Sequence, residues 1–140
     1  PRMFGGLGAT ASYSYTESET EVGGGRFYGQ NLPIPGLSEN VWSATVFYDW
    51  LGFSAHVNMR YRDEFVQNLP IPGAGSPTLA QPYTTVDWQA SYAFDNGLSV
   101  VFSANNLTDE ENIIEYGVDN AFGEYKEFGR QYYFGVNYQY

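Results

Sequence analysis

The chain has 140 residues, no cysteine, 16 acids against 6 bases, and a larger aromatic share (19%) than charged share (16%). A net charge of −10 lacks the basic footprint of a nucleic-acid binder, and the missing cysteine rules out disulfides and thiolate zinc sites. So many aromatics exclude a disordered acidic tail, and no apolar run approaches the ~20 residues of a membrane-spanning helix.

Pro1-Arg2-Met3-Phe4 is neither a natural translation start nor a signal peptide, so the chain reads as processed or cut from something longer. A period of two then begins. Leu7, Ala9, Ala11, Tyr13 and Tyr15 alternate with Gly8, Thr10, Ser12, Ser14 and Thr16. Successive side chains of a strand point to opposite faces, so this segment predicts a strand with one apolar face. A long link, about Glu17–Glu39, follows. Trp42, Ala44, Val46, Tyr48 and Trp50 repeat the pattern, and Leu51-Gly52 predicts a tight hairpin. Phe53, Ala55, Val57, Met59 and Tyr61 form the return strand, with Ser54, His56, Asn58, Arg60 and Arg62 on its other face. A second long link, about Asp63–Tyr83, leads to Val86, Trp88, Ala90, Tyr92 and Phe94, interleaved with Asp87, Gln89, Ser91 and Ala93. Asp95-Asn96-Gly97 predicts another hairpin turn. Leu98, Val100, Phe102 and Ala104 make the fifth strand, and a third long link, about Thr108–Gly129, carries most of the remaining acids. The chain ends on Tyr132, Phe134, Val136, Tyr138 and Tyr140, an aromatic ladder. No helix of useful length is predicted.

Two of the long links share a motif. Gln30-Asn31-Leu32-Pro33-Ile34-Pro35-Gly36 recurs as Gln67-Asn68-Leu69-Pro70-Ile71-Pro72-Gly73. Each proline fixes φ and removes an amide donor, which ends strand pairing. The motif reads as a stiff element re-entering the next strand, or as a pair of similar ligand contacts. Gly23-Gly24-Gly25 precedes no helix signal and reads as loop flexibility.

Six antiparallel strands with turns alternately short and long fit an outer-membrane β-barrel. A soluble sandwich also has alternating strands. Three features favour the membrane. The apolar face uses Tyr, Trp and Phe with Ala and Val, where a sandwich core would use more Ile and Leu. Aromatics bracket the strands, as Trp42 with Trp50 and Phe53 with Tyr61, in the manner of interfacial girdles. The opposite face holds His56, Asn58, Arg60, Arg62, Asp49, Asp87 and Gln89, which suits a watery lumen and burdens a packed core.

Three stretches carry a family resemblance. Tyr48-Asp49-Trp50-Leu51-Gly52-Phe53-Ser54-Ala55 with Tyr61-Arg62, then Asn106-Leu107-Thr108-Asp109, then Gly129-Arg130-Gln131-Tyr132 through Tyr140, in this order, resemble the C-terminal end of a TonB-dependent outer-membrane receptor. The resemblance spans about Gly5 to Tyr140. It implies a 22-stranded barrel with an N-terminal plug, importing scarce nutrients with energy relayed by TonB in the outer membrane of a Gram-negative bacterium. On this reading residues 1–140 are the C-terminal portion of the barrel, a single incomplete domain without its plug. The cargo would be of siderophore, cobalamin or carbohydrate type. With Tyr140 ending in the periplasm, the short turns are periplasmic and the three long links are extracellular. The implied partners are outer-membrane lipid, the rest of the parent barrel and its plug, TonB through the missing N-terminal part, and the barrel-assembly machinery. The last of these would read the C-terminal ladder Tyr132, Phe134, Val136, Tyr138 and Tyr140.

The residues themselves offer no catalytic constellation. His56 is the single histidine, without a second His or Cys as metal partner. No zinc-protease, nucleophile-elbow or phosphate-loop motif occurs. No catalytic, cofactor or metal residue is therefore assigned. The candidate site is the lumen-facing polar set His56, Asn58, Arg60, Arg62, Asp87 and Gln89. Arg60 and Arg62 face Asp87 across a strand pair, which predicts an ion-pair network. It reads either as a wall touching substrate or plug, or as lumen structure alone. The acids of the third link, Asp109, Glu110, Glu111, Glu115, Asp119, Glu124 and Glu127, show no recognisable cation-site spacing. A structural class competes with the receptor reading: a small stand-alone barrel or a self-associating β-sheet subunit. In either case six strands leave both sheet edges open, inviting edge-to-edge pairing.

Overall fold

The computed structural model describes residues 6–23, 28–70, 76–117 and 121–140, with the backbone alone at 121 and 122. The opening residues 1–5, the glycines Gly24 and Gly25, and the end of the second proline motif (71–73) lie outside the described residues.

Twelve strands account for the regular structure, and no helix occurs among the described residues. Six are long: β1 (Leu7–Tyr15), β4 (Asn40–Trp50), β5 (Phe53–Arg62), β8 (Tyr83–Ala93), β9 (Leu98–Asn105) and β12 (Gln131–Tyr138). They form one antiparallel sheet in the order β1-β4-β5-β8-β9-β12. This is the expected meander, with β4 and β8 starting earlier than the alternation indicated. The sheet does not close, and β1 and β12 are its edges.

Register explains why the sheet holds together. Ala9 lies opposite Val46, Val46 opposite Val57, and Val57 opposite Trp88. Trp88 then pairs Ala104, and Ala104 pairs Tyr132. Apolar positions meet apolar positions across every pair, because a one-residue slip would send each side chain to the wrong face. The result is one continuous aromatic face and one polar face. Ring pairs lock it: Trp42 stacks on Tyr61 at 5.8 Å, Trp88 meets Phe102 at 5.5 Å, and Phe102 meets Tyr132 at 6.3 Å.

The sandwich reading fails here. Val46, Val57 and Phe134 on the aromatic face are 51%, 41% and 71% exposed, and no described strand packs across that face. Of the buried apolar side chains among the described residues, Val22, Val66, Ala80 and Ile114 belong to the long links, and Ala104 alone to the long sheet.

The long links are more ordered than turn-rich loops. The first holds the short pair β2 (Thr20–Glu21) and β3 (Asn31–Leu32). The second forms a hairpin, β6 (Phe65–Asn68) and β7 (Thr78–Ala80), and the third forms β10 (Glu111–Tyr116) and β11 (Ala121–Glu127). These two hairpins join through β7 and β10 into a four-stranded sheet, β11-β10-β7-β6. Short, irregular apolar groups such as Phe65-Val66, Thr78-Leu79-Ala80 and Ile113-Ile114 build it. Their partners are distant in sequence, which alternation within one segment does not reveal.

At the short-turn end, the β4–β5 turn has positive φ at both Leu51 (44°) and Gly52 (81°), the type I′ signature. The β8–β9 turn ends on Gly97 with φ 80°. Each hairpin is also fastened to the one before it. The amides of Asp49, Ala93 and Gln139 donate to the carbonyls of Gly6, Gly52 and Gly97 at 3.0, 2.8 and 2.9 Å. A Cβ on Gly97 would lie 2.1 Å from the Gln139 carbonyl oxygen. Gly97→Ala should therefore cost about 2 kcal/mol or more, from the left-handed φ and this clash. A lowered urea midpoint for folding into lipid bilayers measures it; an unchanged midpoint would show that the turn relaxes freely.

Candidate functional site

The polar face carries the six candidate residues, but they do not form one cluster. His56 lies between Phe47 and Gln89 on the neighbouring strands. Phe47 has room because Gly8 lies opposite it; a Cβ there would come within 2.3 Å of the ring. Asn58 faces Asp87 in register, yet its amide donates to Thr45 Oγ1 at 2.7 Å. Arg60 Nη2 donates to Asp87 Oδ2 at 2.6 Å, with the arginine side chain 60% exposed. Asp87 Oδ1 accepts the Asn106 amide at 3.1 Å. The predicted network thus contains Arg60 and Asp87.

Arg62 is not part of it. Its Nε donates to Ser38 Oγ at 2.7 Å, its Nη2 donates to the Gly36 carbonyl, and its guanidinium lies 3.8 Å over the Phe65 ring. It sits at the end of β5, where the first and second links pass close by, and their acceptors outcompete Asp87. Gly36 N–H also donates to the Val66 carbonyl at 2.8 Å. The first proline motif is therefore docked on β6 as well as leading into the next strand. Arg60, paired with Asp87 but largely exposed, has Ser12, Ser14, Ser43, Tyr83 and Thr85 near it, with Tyr13, Trp42 and Tyr61 lining the same cavity of about 520 Å³. A guanidinium among hydroxyls can hold anionic or polyhydroxylated groups by hydrogen bonding; it has no nucleophile–base pair.

A second constellation lies where β9 leaves the sheet. Asn106 adopts φ 53°, a conformation asparagine tolerates better than most residues. Its Nδ2 donates to the carbonyls of Glu110 (3.1 Å) and Gly129 (3.2 Å), and its Oδ1 accepts from Glu110 N–H at 2.9 Å. Thr108 Oγ1 donates to the Thr84 carbonyl, and Arg130 Nε donates to the Leu107 carbonyl, each at 3.1 Å. Arg130 also pairs with Asp109 at 3.7 Å. The Asn-Leu-Thr-Asp and Gly-Arg stretches, far apart in sequence, close one corner together.

A third constellation holds the other links. Asp63 accepts from Asn40 Nδ2 at 3.0 Å, Glu64 N–H at 3.0 Å and Tyr61 Oη at 3.3 Å. The Asn40 bond, with smaller help from the other two, holds the Asp63 carboxyl below its ordinary value, against partial burial. A lowered folded-state pKa stabilises above the unfolded value, and this is lost as pH falls through the folded one. Urea titrations of the wild type and Asp63→Asn between about pH 6 and about pH 2 should converge only below the ordinary carboxylate range near ~4. A gap constant with pH would show that Asp63 acts through shape alone.

Among the described residues, those of the acidic third link included, no group of three metal-ligating side chains occurs; Asp119 of that link lies outside the described residues. Tyr125 there is held by the Glu111 carboxylate, which pushes its hydroxyl up to about 12. The C-terminal ladder lies opposite β9: Tyr132, Phe134, Val136 and Tyr138 face Ala104, Phe102, Val100 and Leu98. Tyr140 lies beyond the end of the strand, exposed. Sequence alone does not single out Asn40 or Asp63 as organising residues, and it marks Asn106 only as part of the Asn-Leu-Thr-Asp stretch, without its bonds. The available signal is weak: a short polar residue immediately before or after an alternating run.

A family model described as TonB dependent receptor-like, beta-barrel, matches residues 2–107. An iron-regulated outer membrane virulence protein of Vibrio cholerae serotype O1 is 30% identical over 131 residues, in a classical Ogawa strain and in an El Tor Inaba strain alike. The match covers 91% of this chain and 18% of the relative, so the chain spans less than a fifth of the relative's length. No solved structure matches the chain.

Proposed function

Because the chain belongs to the TonB-dependent receptor-like β-barrel family, we propose that residues 1–140 form the C-terminal portion of an outer-membrane receptor barrel that imports a scarce nutrient. The setting is the outer membrane of a Gram-negative bacterium. The observation that carries the proposal is the six-stranded sheet itself, with an uncovered aromatic face and two open edges. Lipid satisfies that face. Further strands of the same barrel satisfy the edges, whose backbone groups cannot stay unpaired in a bilayer. The polar face then lines the lumen against a plug, with Arg60, Asp87, Asn58, His56 and Gln89 on the wall and Arg62 at its outer rim. TonB engages a part of the protein outside this chain. The barrel-assembly machinery reads the ladder ending at Tyr140.

The relative's description as iron-regulated favours an iron chelate over cobalamin or carbohydrate as cargo. A strain lacking the gene for this segment should lose uptake of at least one ferric chelate from a panel under iron limitation. Restoration of uptake by the gene should vanish with a protonophore or without TonB. Energy-independent uptake would overturn the reading. Arg60→Ala should lower uptake while leaving the amount of folded receptor unchanged.

The open edges also favour a second reading, copies of the 140-residue chain pairing edge to edge. Mass measurement of the purified chain in detergent separates the two: a defined multimer with protected edge amides supports self-association, and heterogeneous, poorly folded material supports a missing barrel.

A further inference from the structure

The crevice between the first long link and the β6–β7 hairpin joins an apolar floor to an acidic border. Its floor is apolar, built by Leu32, Leu37, Phe65, Val66 and Leu79. Four carboxylates border it, those of Glu17, Glu39, Asp63 and Glu64, and among the described residues no lysine, arginine or histidine lines it. Its volume is about 370 Å³, at the lower end of small-molecule sites.

We propose that this crevice binds an organic cation with an apolar body, a protonated amine carried on an aromatic or aliphatic group.

The charge argument selects the head of the ligand. Asp63 is committed to Asn40 and Tyr61, and Glu39 bonds the Tyr15 hydroxyl. Glu17 and Glu64 have no side-chain hydrogen-bond or ion-pair partner among the described residues. Among the described residues the base nearest in sequence, Arg62, is taken by Gly36, Ser38 and the Phe65 ring. A cation at this opening meets carboxylates along its border, which favours it over a neutral or anionic head. The floor selects the body. A bare metal ion gains nothing from leucine, valine and phenylalanine, and no described group of carboxylates has metal-ligand geometry. An apolar body gains by leaving water, and the Tyr15 ring lines the crevice, where an aromatic ring attracts an ammonium group that meets its face. The walls are also fixed beforehand: the Gly36 amide to the Val66 carbonyl, with Arg62 across both links, holds them at their present spacing. Little ordering is left for a ligand to impose, which favours affinity.

The test uses the receptor carrying this segment, in lipid nanodiscs, with empty nanodiscs as the blank. The probes are 2-phenylethylamine, 2-phenylethanol and 3-phenylpropionate, which share a body and differ in charge. Equilibrium dialysis should show saturable binding of the amine, and the alcohol and the acid should bind at least about tenfold more weakly. Glu17→Gln with Glu64→Gln should weaken the amine about tenfold or more; these are surface changes that leave no buried group unpaired. Glu124→Gln, on β11, should leave binding unchanged. Millimolar Ca²⁺ should displace little of the amine. Amine binding no greater than to empty nanodiscs, equal binding of the alcohol, full binding by the double variant, or complete displacement by Ca²⁺ would each overturn the proposal. Transport plays no part in this readout, so it stands or falls apart from the uptake reading.

Discussion

Asn106→Ala should destabilise the folded segment by about 3–5 kcal/mol, the largest single loss expected outside the bilayer face. Its side chain bonds the Glu110 carbonyl, the Gly129 carbonyl and the Glu110 amide, and its Oδ1 also lies 3.3 Å from the Thr108 hydroxyl. A neutral bond of this kind contributes roughly 0.5–1.5 kcal/mol, and partners left half-buried without one add to the loss. Alanine at φ 53° adds about 1 kcal/mol that asparagine largely avoids. The Gly129 bond fastens the entry of β12 to the exit of β9, so the C-terminal strand should loosen first. Asn106→Gly separates the two causes: it relieves the backbone and leaves the hydrogen bonds unmade, so it should cost about 1 kcal/mol less than alanine. Urea unfolding of the receptor in lipid vesicles gives both values. A loss below about 1 kcal/mol for alanine would mean that water replaces the side chain at this corner.

Val57→Arg should cost about 2–4 kcal/mol, the value for a charge at the middle of a lipid-facing strand. Val57 lies halfway along β5, flanked by Val46 and Trp88 in register, and 41% exposed on the aromatic face. The same change one position away, His56→Arg or Asn58→Arg, places the guanidinium on the polar face and should cost much less. Ala90→Arg on β8, opposite Ala55, should behave like Val57→Arg. Folding yields into bilayers compare the two sets directly. Equal losses on both faces would refute the assignment of lipid to the aromatic side.

The long sheet was legible because a membrane barrel strand carries its instructions within itself. Alternation from Leu7 to Tyr15 or from Phe53 to Tyr61 sets each strand's two faces, and the turns Leu51-Gly52 and Asp95-Asn96-Gly97 set its partners. The polar candidates His56, Asn58, Arg60, Asp87 and Gln89 follow from the same parity. Arg62 shows where parity stops: it has the right face in sequence, but at the last pair of the ladder its side chain reaches the Gly36 carbonyl and Ser38. The four-stranded sheet of the outer links was not legible. Ile114 meets Ala80, and Ala80 meets Phe65, pairings between segments too short to show a period. The clasps at Asp63 and Asn106 stayed hidden for a related reason. One polar side chain in a loop has many available partners, and the backbone geometry that selects among them arises only after the strands have paired.

The three glycine carbonyls at the short-turn end bear on how such a sheet could change size over evolutionary time. Gly6, Gly52 and Gly97 come at nearly equal intervals, and each accepts an amide from the short-turn end of the next strand to run toward it, at Asp49, Ala93 and Gln139. Every hairpin therefore offers the same backbone socket on one side and the same plug on the other, independent of its side chains. A duplicated or deleted hairpin would meet chemically equivalent joints, whereas gain or loss of one strand would break the joint and reverse the chain's direction at it. Growth by pairs of strands, with free variation confined to the links at the opposite end, follows from that backbone joint alone.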